Sequence, residues 1–128
     1  MKILQEINID YCCLQLFENN LVRIDIKGNY NIGAIESEEI TKQLGILSKG
    51  KKMLVLMIAD EITQFDQGAR EYSASEAGSK YTLADALVVK NLAQRILANF
   101  YVTVNKPKIP SKTFNSEEEA KNWLFSLK

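Results

Sequence analysis

The sequence predicts an α/β fold in which helices alternate with about five strands of a mostly parallel sheet. Residues 53–58 form an uninterrupted apolar run, which is typical of a strand buried on both faces, and residues 84–89 are a second candidate. Residues 11–18 are interpreted as a strand, Asn19-Asn20 is a turn signal, and residues 21–27 alternate between apolar and polar, so together they predict an N-terminal β-hairpin. Helical segments between the strands favour parallel pairing.

The expected order of elements is β-β-α-β-α-β-α-β-α. The first helix spans about 35–48 and ends at Gly50, and the second spans about 69–80. The third begins near Asn91, and the fourth follows a short edge strand at 111–114, with Asn115 or Ser116 as its cap. The side chains expected to face inward are Ile40, Leu44 and Leu47 of the first helix, Tyr72 and Ala77 of the second, Leu92, Ile96, Leu97, Phe100, Tyr101 and Val104 of the third, and Ala120, Trp123, Leu124 and Leu127 of the fourth.

The composition of the chain excludes more classes of function than any sequence motif does. The 128 residues, 46% hydrophobic and 25% charged, suit a single domain over 1–128. Sixteen basic and sixteen acidic residues balance, which argues against a nucleic-acid partner. The chain has no histidine, so the common catalytic pairs and histidine metal ligands are excluded. We therefore expect no catalytic residue, no cofactor and no metal, and a protein that is not an enzyme.

The two cysteines and the N-terminal residues indicate the cellular compartment in which the protein is expected. Cys12 and Cys13 are adjacent, and a disulfide between neighbours needs unusual geometry, so free thiols are expected, one buried and one partly exposed. Residues 1–6 lack the apolar core of a signal peptide, and no apolar run approaches the length of a membrane span. These features predict a cytoplasmic protein.

Several segments together resemble the SpoIIAA-like/STAS class, which includes bacterial anti-sigma-factor antagonists and is structurally close to CRAL-TRIO lipid-binding domains. The matching segments are residues 22–30, Ala59-Asp60 at the end of the buried strand, and residues 62–70. Asn105 to Lys108 and the Glu-rich last helix are similar to the tail of small uncharacterised bacterial domains of this class. The resemblance covers nearly the whole chain and implies a SpoIIAA-like fold.

One departure from that class concerns its switch. Antagonists of the class carry a phosphorylatable serine directly after an aspartate at the start of the second helix. Here Asp66 is followed by Gln67 and Gly68, and glutamine cannot accept a phosphate. The resemblance therefore does not extend to the phosphoswitch.

Three further groups of residues each have a functional and a structural interpretation. Asp60, Glu61 and Asp66 could form an acid–base or cation site, but a solvated loop with Asp66 as a helix cap is favoured. A basic group could bind an anion or be ordinary solvated charge; its members are Arg95, Lys106, Lys108 and Lys112. An aromatic group could line a pocket or pack in the core; its members are Phe100, Tyr101, Trp123 and Phe125.

The working surface is expected at the carboxyl ends of the parallel strands, where the loops to the following helices converge. The residues predicted to contact a partner are Tyr30, Asp66, Gln67 and Arg70. The leading hypothesis is a non-enzymatic, cytoplasmic, bacterial protein–protein interaction or regulatory module of STAS-like type. The alternative is a small-molecule or lipid carrier of CRAL-TRIO-like type. The sequence leaves open whether the chain forms a homo-oligomer.

Overall fold

The computed structural model describes residues 2–127 and is built around a six-stranded sheet. The strands, in chain order, are β1 (Gln5–Ile9), β2 (Cys12–Phe17), β3 (Leu21–Ile26), β4 (Asn31–Ile32), β5 (Met53–Ala59), β6 (Gln64–Phe65), β7 (Thr82–Val88) and β8 (Ser111–Phe114). The helices are α1 (Ala34–Leu47), α2 (Gln67–Ala74), α3 (Leu92–Phe100), which continues as a π-helical turn over Tyr101–Asn105, and α4 (Glu117–Ser126). The main sheet has the order β1-β2-β3-β5-β7-β8, and β4 and β6 form a small second sheet.

The pairing divides the main sheet into two parts. Strands β1, β2 and β3 form an antiparallel meander, whereas β3, β5, β7 and β8 pair in parallel. The turn between β2 and β3 contains Asn19 and Asn20, both with positive φ, a conformation that asparagine tolerates better than most residues. The predicted mostly parallel α/β fold is confirmed, with six strands in the sheet where about five were expected.

The sixth strand of the sheet, β1, was not predicted. Its sequence is Gln-Glu-Ile-Asn-Ile, and only Ile7 and Ile9 are partly buried. As an edge strand it is hydrogen-bonded to β2 alone and needs little apolar surface. The two-residue strands β4 and β6 are likewise too short to leave a periodic pattern in the sequence.

Two hydrophobic cores lie on opposite faces of the sheet, and β5 contributes to both. Met53, Val55 and Ala59 belong to the core beneath α1, which includes Ile40, Leu44 and Leu47 as predicted. Leu54, Leu56 and Ile58 belong to the core beneath α4, with Ala120 and Leu124. This double burial explains the uninterrupted apolar run of the strand.

The last helix closes the second face of the sheet. The Ser116 hydroxyl accepts a hydrogen bond from the Glu119 N–H, and Arg23 of β3 donates from Nε to Glu117 Oε1 at 3.0 Å. The ring of Trp123 lies 5.6 Å from that of Phe114, and Phe125 packs against the same core, so these aromatic residues serve packing. The prediction that Leu127 faces inward is wrong, because this side chain follows the last helical turn and is exposed.

Helix α2 is shorter than the predicted span of 69–80. It begins at Gln67 and ends at Ala74, and Ser75 follows it in an extended conformation with its N–H donating to Tyr72 O. Ala69 and Ala74 supply the buried positions and Tyr72 is partly buried, whereas Ala77 lies beyond the helix and is exposed. The inward position predicted for Ala77 is therefore wrong.

The predicted apolar stripe of α3 divides between two faces. Leu97 is partly buried and Tyr101 buried beneath the helix. The outer side chains, spaced four residues apart, are exposed: Leu92 by 70%, Ile96 by 61%, Phe100 by 45% and Val104 by 56%. None of the nine residues of α3, all of which the structure describes, is buried. The expectation that the whole stripe faces the core is wrong. The apolar residues occupy two faces of the helix, and only the face with Leu97 and Tyr101 is directed at the sheet.

Candidate functional site

The loops at the carboxyl ends of β3 and β5 are fastened to each other. The Gly28 N–H donates to Asp60 Oδ2 at 2.6 Å, and the Thr63 hydroxyl donates to Gly28 O at 2.7 Å. Pairing of β4 with β6 extends this connection. The edge predicted to bind a partner is therefore a rigid surface.

The four residues predicted to contact a partner all lie at this edge and have separate structural environments. Tyr30 is 40% exposed and packs at 5.5 Å against the ring of Tyr11. Asp66 caps α2, since its Oδ1 accepts a hydrogen bond from the Ala69 N–H at 3.0 Å. Gln67 is exposed and donates to Glu71 on the same helix.

The fourth of these residues, Arg70, is held between the loop and α3. Its Nη1 donates to Phe65 O at 2.8 Å, and its guanidinium carbon lies 5.6 Å from the centre of the Phe100 ring. Its Nε is buried and has no hydrogen-bond partner among the described residues. The hydrogen bonds of the described chain join none of these four side chains to another, so their common role as a contact surface remains a prediction.

Gln94 fastens α3 to the same edge and was not among the residues predicted from the sequence. Its Nε2 donates to Asp60 O at 2.9 Å, and its Oε1 accepts from the Lys90 N–H at 2.7 Å. Asn91 caps the helix by accepting from the Gln94 N–H at 2.8 Å. One side chain thus joins the ends of β5 and β7 to the start of α3. A glutamine three residues after a capping asparagine is the signal that could have identified this arrangement.

The cationic residues of this region are spread along α3. Residues 86–116 contain five basic side chains and no acidic ones, although the whole chain is neutral. Arg95 lies in the first turn and contacts Asn115, whereas Lys106 ends the π-helical turn, about 16 Å further along the helix axis. Lys112 lies over the Phe114 ring. The four basic residues considered as one anion patch are therefore not brought together.

A cavity of about 180 Å³ lies between the parallel strands and the helices α1, α2 and α3. Its wall is mostly apolar and includes Val55 and Met57 of β5, Leu87 of β7, and Leu97 and Ala98 of α3. The floor is the sheet face that carries the α1 core, and α3 forms the roof. This face of the sheet is therefore incompletely filled where the three helices meet.

Asp85 is the charged group in the floor of this cavity. It lies on β7 beside Ser111 of β8, and its Oδ1 is buried and accepts no hydrogen bond from the described residues. Burial raises the pKa of Asp85 from 3.8 to about 6, and hydrogen bonds from Ser111 and the backbone oppose the increase. Burial and the charge of Asp85 also raise the pKa of Tyr101, which lines the cavity.

Asp85 lies within the strand predicted at residues 84–89 and was not predicted to be a site residue. The signal was available, since a carboxylate inside a strand buried on both faces needs a partner or a function. The sequence also raised a cation site at Asp60, Glu61 and Asp66. Within residues 2–127 no three histidine, cysteine, aspartate or glutamate side chains are grouped to hold a metal ion, and Asp60 and Asp66 are engaged as hydrogen-bond acceptors.

Both cysteines are free thiols, and both are buried. Burial raises the pKa of Cys12 to about 12, and it raises the pKa of Cys13 as well. The expectation that one thiol is partly exposed is therefore wrong: Cys12 faces the α1 core, and Cys13 is covered on the opposite face of β2.

The topology and the edge of paired loops define an α/β protein of SpoIIAA-like fold. A similar solved structure is that of an uncharacterised protein of the DUF3478 family with a SpoIIAA-like fold from Shewanella loihica PV-4. It has a TM-score of 0.59 and 12% identity over 88% of this chain and 91% of that one. The resemblance to the SpoIIAA-like/STAS class is thereby supported at the level of the fold.

The chain belongs to the family described as Domain of unknown function (DUF7793), whose model matches residues 15–128. No curated protein matches it. In the part of the chain that the structure describes, no helix combines the length and the apolar character needed to cross a membrane.

Proposed function

We propose that this protein is a non-enzymatic interaction module that binds an acidic, amphipathic segment of a protein partner on the outer face of α3. The observation that carries the proposal is the exposed apolar stripe formed by Leu92, Ile96, Phe100 and Val104. Four large apolar side chains at four-residue spacing form one continuous row along a helix. Such a row on a folded protein marks an interaction site more often than an exposed side chain that stands alone.

Charge indicates the chemistry of the partner. In the sequence, Lys90 and Arg95 lie near the start of the stripe, Lys106 and Lys108 follow its end, and residues 86–116 contain no acidic side chain. Lys90 is paired with Asp60 at 3.8 Å, so the charge offered to a partner comes from the other three residues. A partner surface with an apolar centre and carboxylates around it would complement both features. Of the four residues predicted from the sequence, Tyr30, Asp66, Gln67 and Arg70, it is Arg70 that borders this face, since its guanidinium carbon lies 5.6 Å from the centre of the Phe100 ring.

Because this chain lacks the phosphorylatable serine of the antagonists, the proposed binding is not controlled by phosphorylation at that position. Gln67 stands directly after Asp66, and its amide is hydrogen-bonded to Glu71. Phosphorylation at this position is chemically unavailable, so partner binding in this chain would depend on surface complementarity and on the amounts of the two proteins. Thr63, the nearby hydroxyl, is buried and donates to Gly28 O, so it is a poor phosphorylation site.

A second candidate, the small-molecule carrier, is favoured by the cavity under α3. Its volume of about 180 Å³ is close to that of the roughly 150 Å³ engineered cavity that binds one benzene. A lipid with two acyl chains is much larger than this space. The geometry therefore supports a small molecule as the carried ligand and argues against a lipid.

The docking face can be tested with a photo-crosslinking residue placed at position 96 in the source cell. Ile46 of α1 is the matched control, because it is also a helical isoleucine and is 55% exposed compared with 61% for Ile96. We expect position 96 to crosslink to one defined protein, and position 46 not to do so. Ile96→Asp should weaken binding of that purified protein by about thirtyfold, because central apolar contacts contribute about 2 kcal/mol or more.

Three results would each overturn the proposal. The first is equal crosslinking from positions 96 and 46. The second is binding of the purified protein to vesicles of anionic lipid that is abolished by Ile96→Asp, which would make the face a membrane contact. The third is a homodimer by analytical ultracentrifugation that Ile96→Asp dissociates, which would make the occupant a second copy of this chain.

A further inference from the structure

We propose that the cavity under α3 is a binding site for a small apolar molecule with one hydrogen-bond donor, an alcohol or an amine, which donates to Asp85. This inference concerns the partly open cavity beneath α3 and rests on the small-molecule candidate proposed above, and it does not depend on partner docking at the outer face of α3. Its two supports are the volume of the cavity and the unpartnered carboxylate in its floor.

The volume sets the size of the ligand. A cavity of about 180 Å³ compares with the roughly 150 Å³ space that holds benzene, so it accommodates about seven or eight non-hydrogen atoms. Native interiors are close-packed and rarely leave a gap of this size among apolar side chains. Val55, Leu87 and Leu97 in the wall would contact the apolar part of such a ligand.

Asp85 sets the polarity of the ligand. Oδ1 has no hydrogen-bond partner within the described chain, and buried polar atoms of native proteins nearly always have one. An ionised carboxylate can only accept hydrogen bonds, so the missing partner is a donor. The pKa of about 6 leaves Asp85 mostly ionised at neutral pH, where a donor would relieve the cost of the buried charge.

The remaining polar groups of the wall do not replace that donor. Ser111 and the backbone N–H of Asp85 oppose only part of the pKa increase. The charge of Asp85 raises the pKa of Tyr101, but Tyr101 does not lower the pKa of Asp85 as a hydrogen-bond donor would. Arg70 lines the cavity, but its Nη1 is bound to Phe65 O. Its buried and unpartnered Nε offers an additional contact for a ligand that also carries an acceptor, such as a hydroxyl oxygen.

Three probes with eight non-hydrogen atoms each test the proposal: benzyl alcohol, benzylamine and ethylbenzene. Each is titrated into the purified protein while the backbone amides are followed by NMR. We expect the alcohol, the amine or both to shift amides of cavity-lining residues and to bind at least about tenfold more tightly than ethylbenzene, because a hydrogen bond to a charged group is among the stronger ones. Comparing alcohol with amine identifies which donor the site prefers.

Two variants locate the site and one controls for charge. Asp85→Ala should abolish the preference for the donor probes while ethylbenzene still binds. Ala98→Leu should fill the cavity and block all three probes, and it tests the location even if Asp85→Ala does not fold. Asp10→Ala removes an exposed aspartate in the turn between β1 and β2 and should change nothing. The proposal is overturned if ethylbenzene binds as tightly as the donors, if no probe binds, or if the donor preference survives Asp85→Ala.

Discussion

Replacing Asp85 with asparagine should stabilise the protein at alkaline pH and have little effect in acid. In the folded protein the pKa of this carboxyl is about 6, compared with an ordinary value of 3.8. A carboxyl with a raised folded-state pKa holds its proton more tightly in the folded state than in the unfolded state. Its charge therefore lowers the free energy of unfolding as pH rises from about 4 through 6. At 1.4 kcal/mol per pKa unit the full effect is about 3 kcal/mol.

Urea unfolding of wild type and Asp85→Asn at pH 4 and pH 8 measures this difference. The two proteins should differ little at pH 4, whereas at pH 8 the variant should gain up to about 3 kcal/mol, or about 10 °C in midpoint temperature. Glu6 and Glu117, whose pKa values are lowered, titrate in both proteins and cancel in the comparison. An advantage of the variant that is the same at both pH values would refute the reasoning, and Asp10→Asn serves as the exposed control.

Three further predictions concern packing and capping. Cys12 and Cys13 should resist a thiol reagent in the native protein and react on unfolding, since both are buried with raised pKa values; rapid labelling of the native protein would contradict this. Gly45→Ala should destabilise the protein by about 1–3 kcal/mol, because the new Cβ would lie 2.5 Å from the Tyr81 ring. Thermal unfolding measures this loss, and adding Tyr81→Leu to Gly45→Ala should restore part of it. Asp66→Ala should cost about 1 kcal/mol through loss of the α2 cap, and a denaturant midpoint equal to that of wild type would show that the cap is not needed.

The parts of the fold that follow from periodicity and end signals could be predicted from the sequence. The buried strand at 53–58, the helix with Ile40, Leu44 and Leu47, and the last helix with its Ser116 cap lie where the patterns placed them. Strand β1 could not be predicted in this way, because an edge strand with two partly buried isoleucines has no distinctive pattern. The end of α2 depends on the turn chemistry of residues 75–81, which helical periodicity alone does not reveal.

The candidate site was predicted in part. The capping role of Asp66 follows from the sequence alone, but the contacts of Arg70 with Phe65 and Phe100 depend on how α2 meets α3. The exposure of Leu92, Ile96, Phe100 and Val104 could not be predicted from the sequence. An apolar residue contributes to the helical pattern in the same way whether its side chain is buried in the core or exposed on the surface. Asp85 was not predicted as a site residue because the apolar residues on both sides of it predict a buried strand, and a strand pattern does not show that a carboxylate within it lines a cavity.

The way in which α3 is attached has a consequence for exchange with solvent. The helix has no buried residue of its own. Its attachments include the Gln94 hydrogen bond to Asp60 O, contacts of Arg95 and Asn99 with β8 and the residue after it, and the burial of Tyr101 at its end. Segments with few buried contacts open locally at a smaller free-energy cost than the whole protein. Amide protons of α3 should therefore exchange sooner than those of β5, whose residues 54–58 lie in the centre of the sheet. A cavity whose roof is a helix without a buried residue can admit and release its contents while the two hydrophobic cores stay intact.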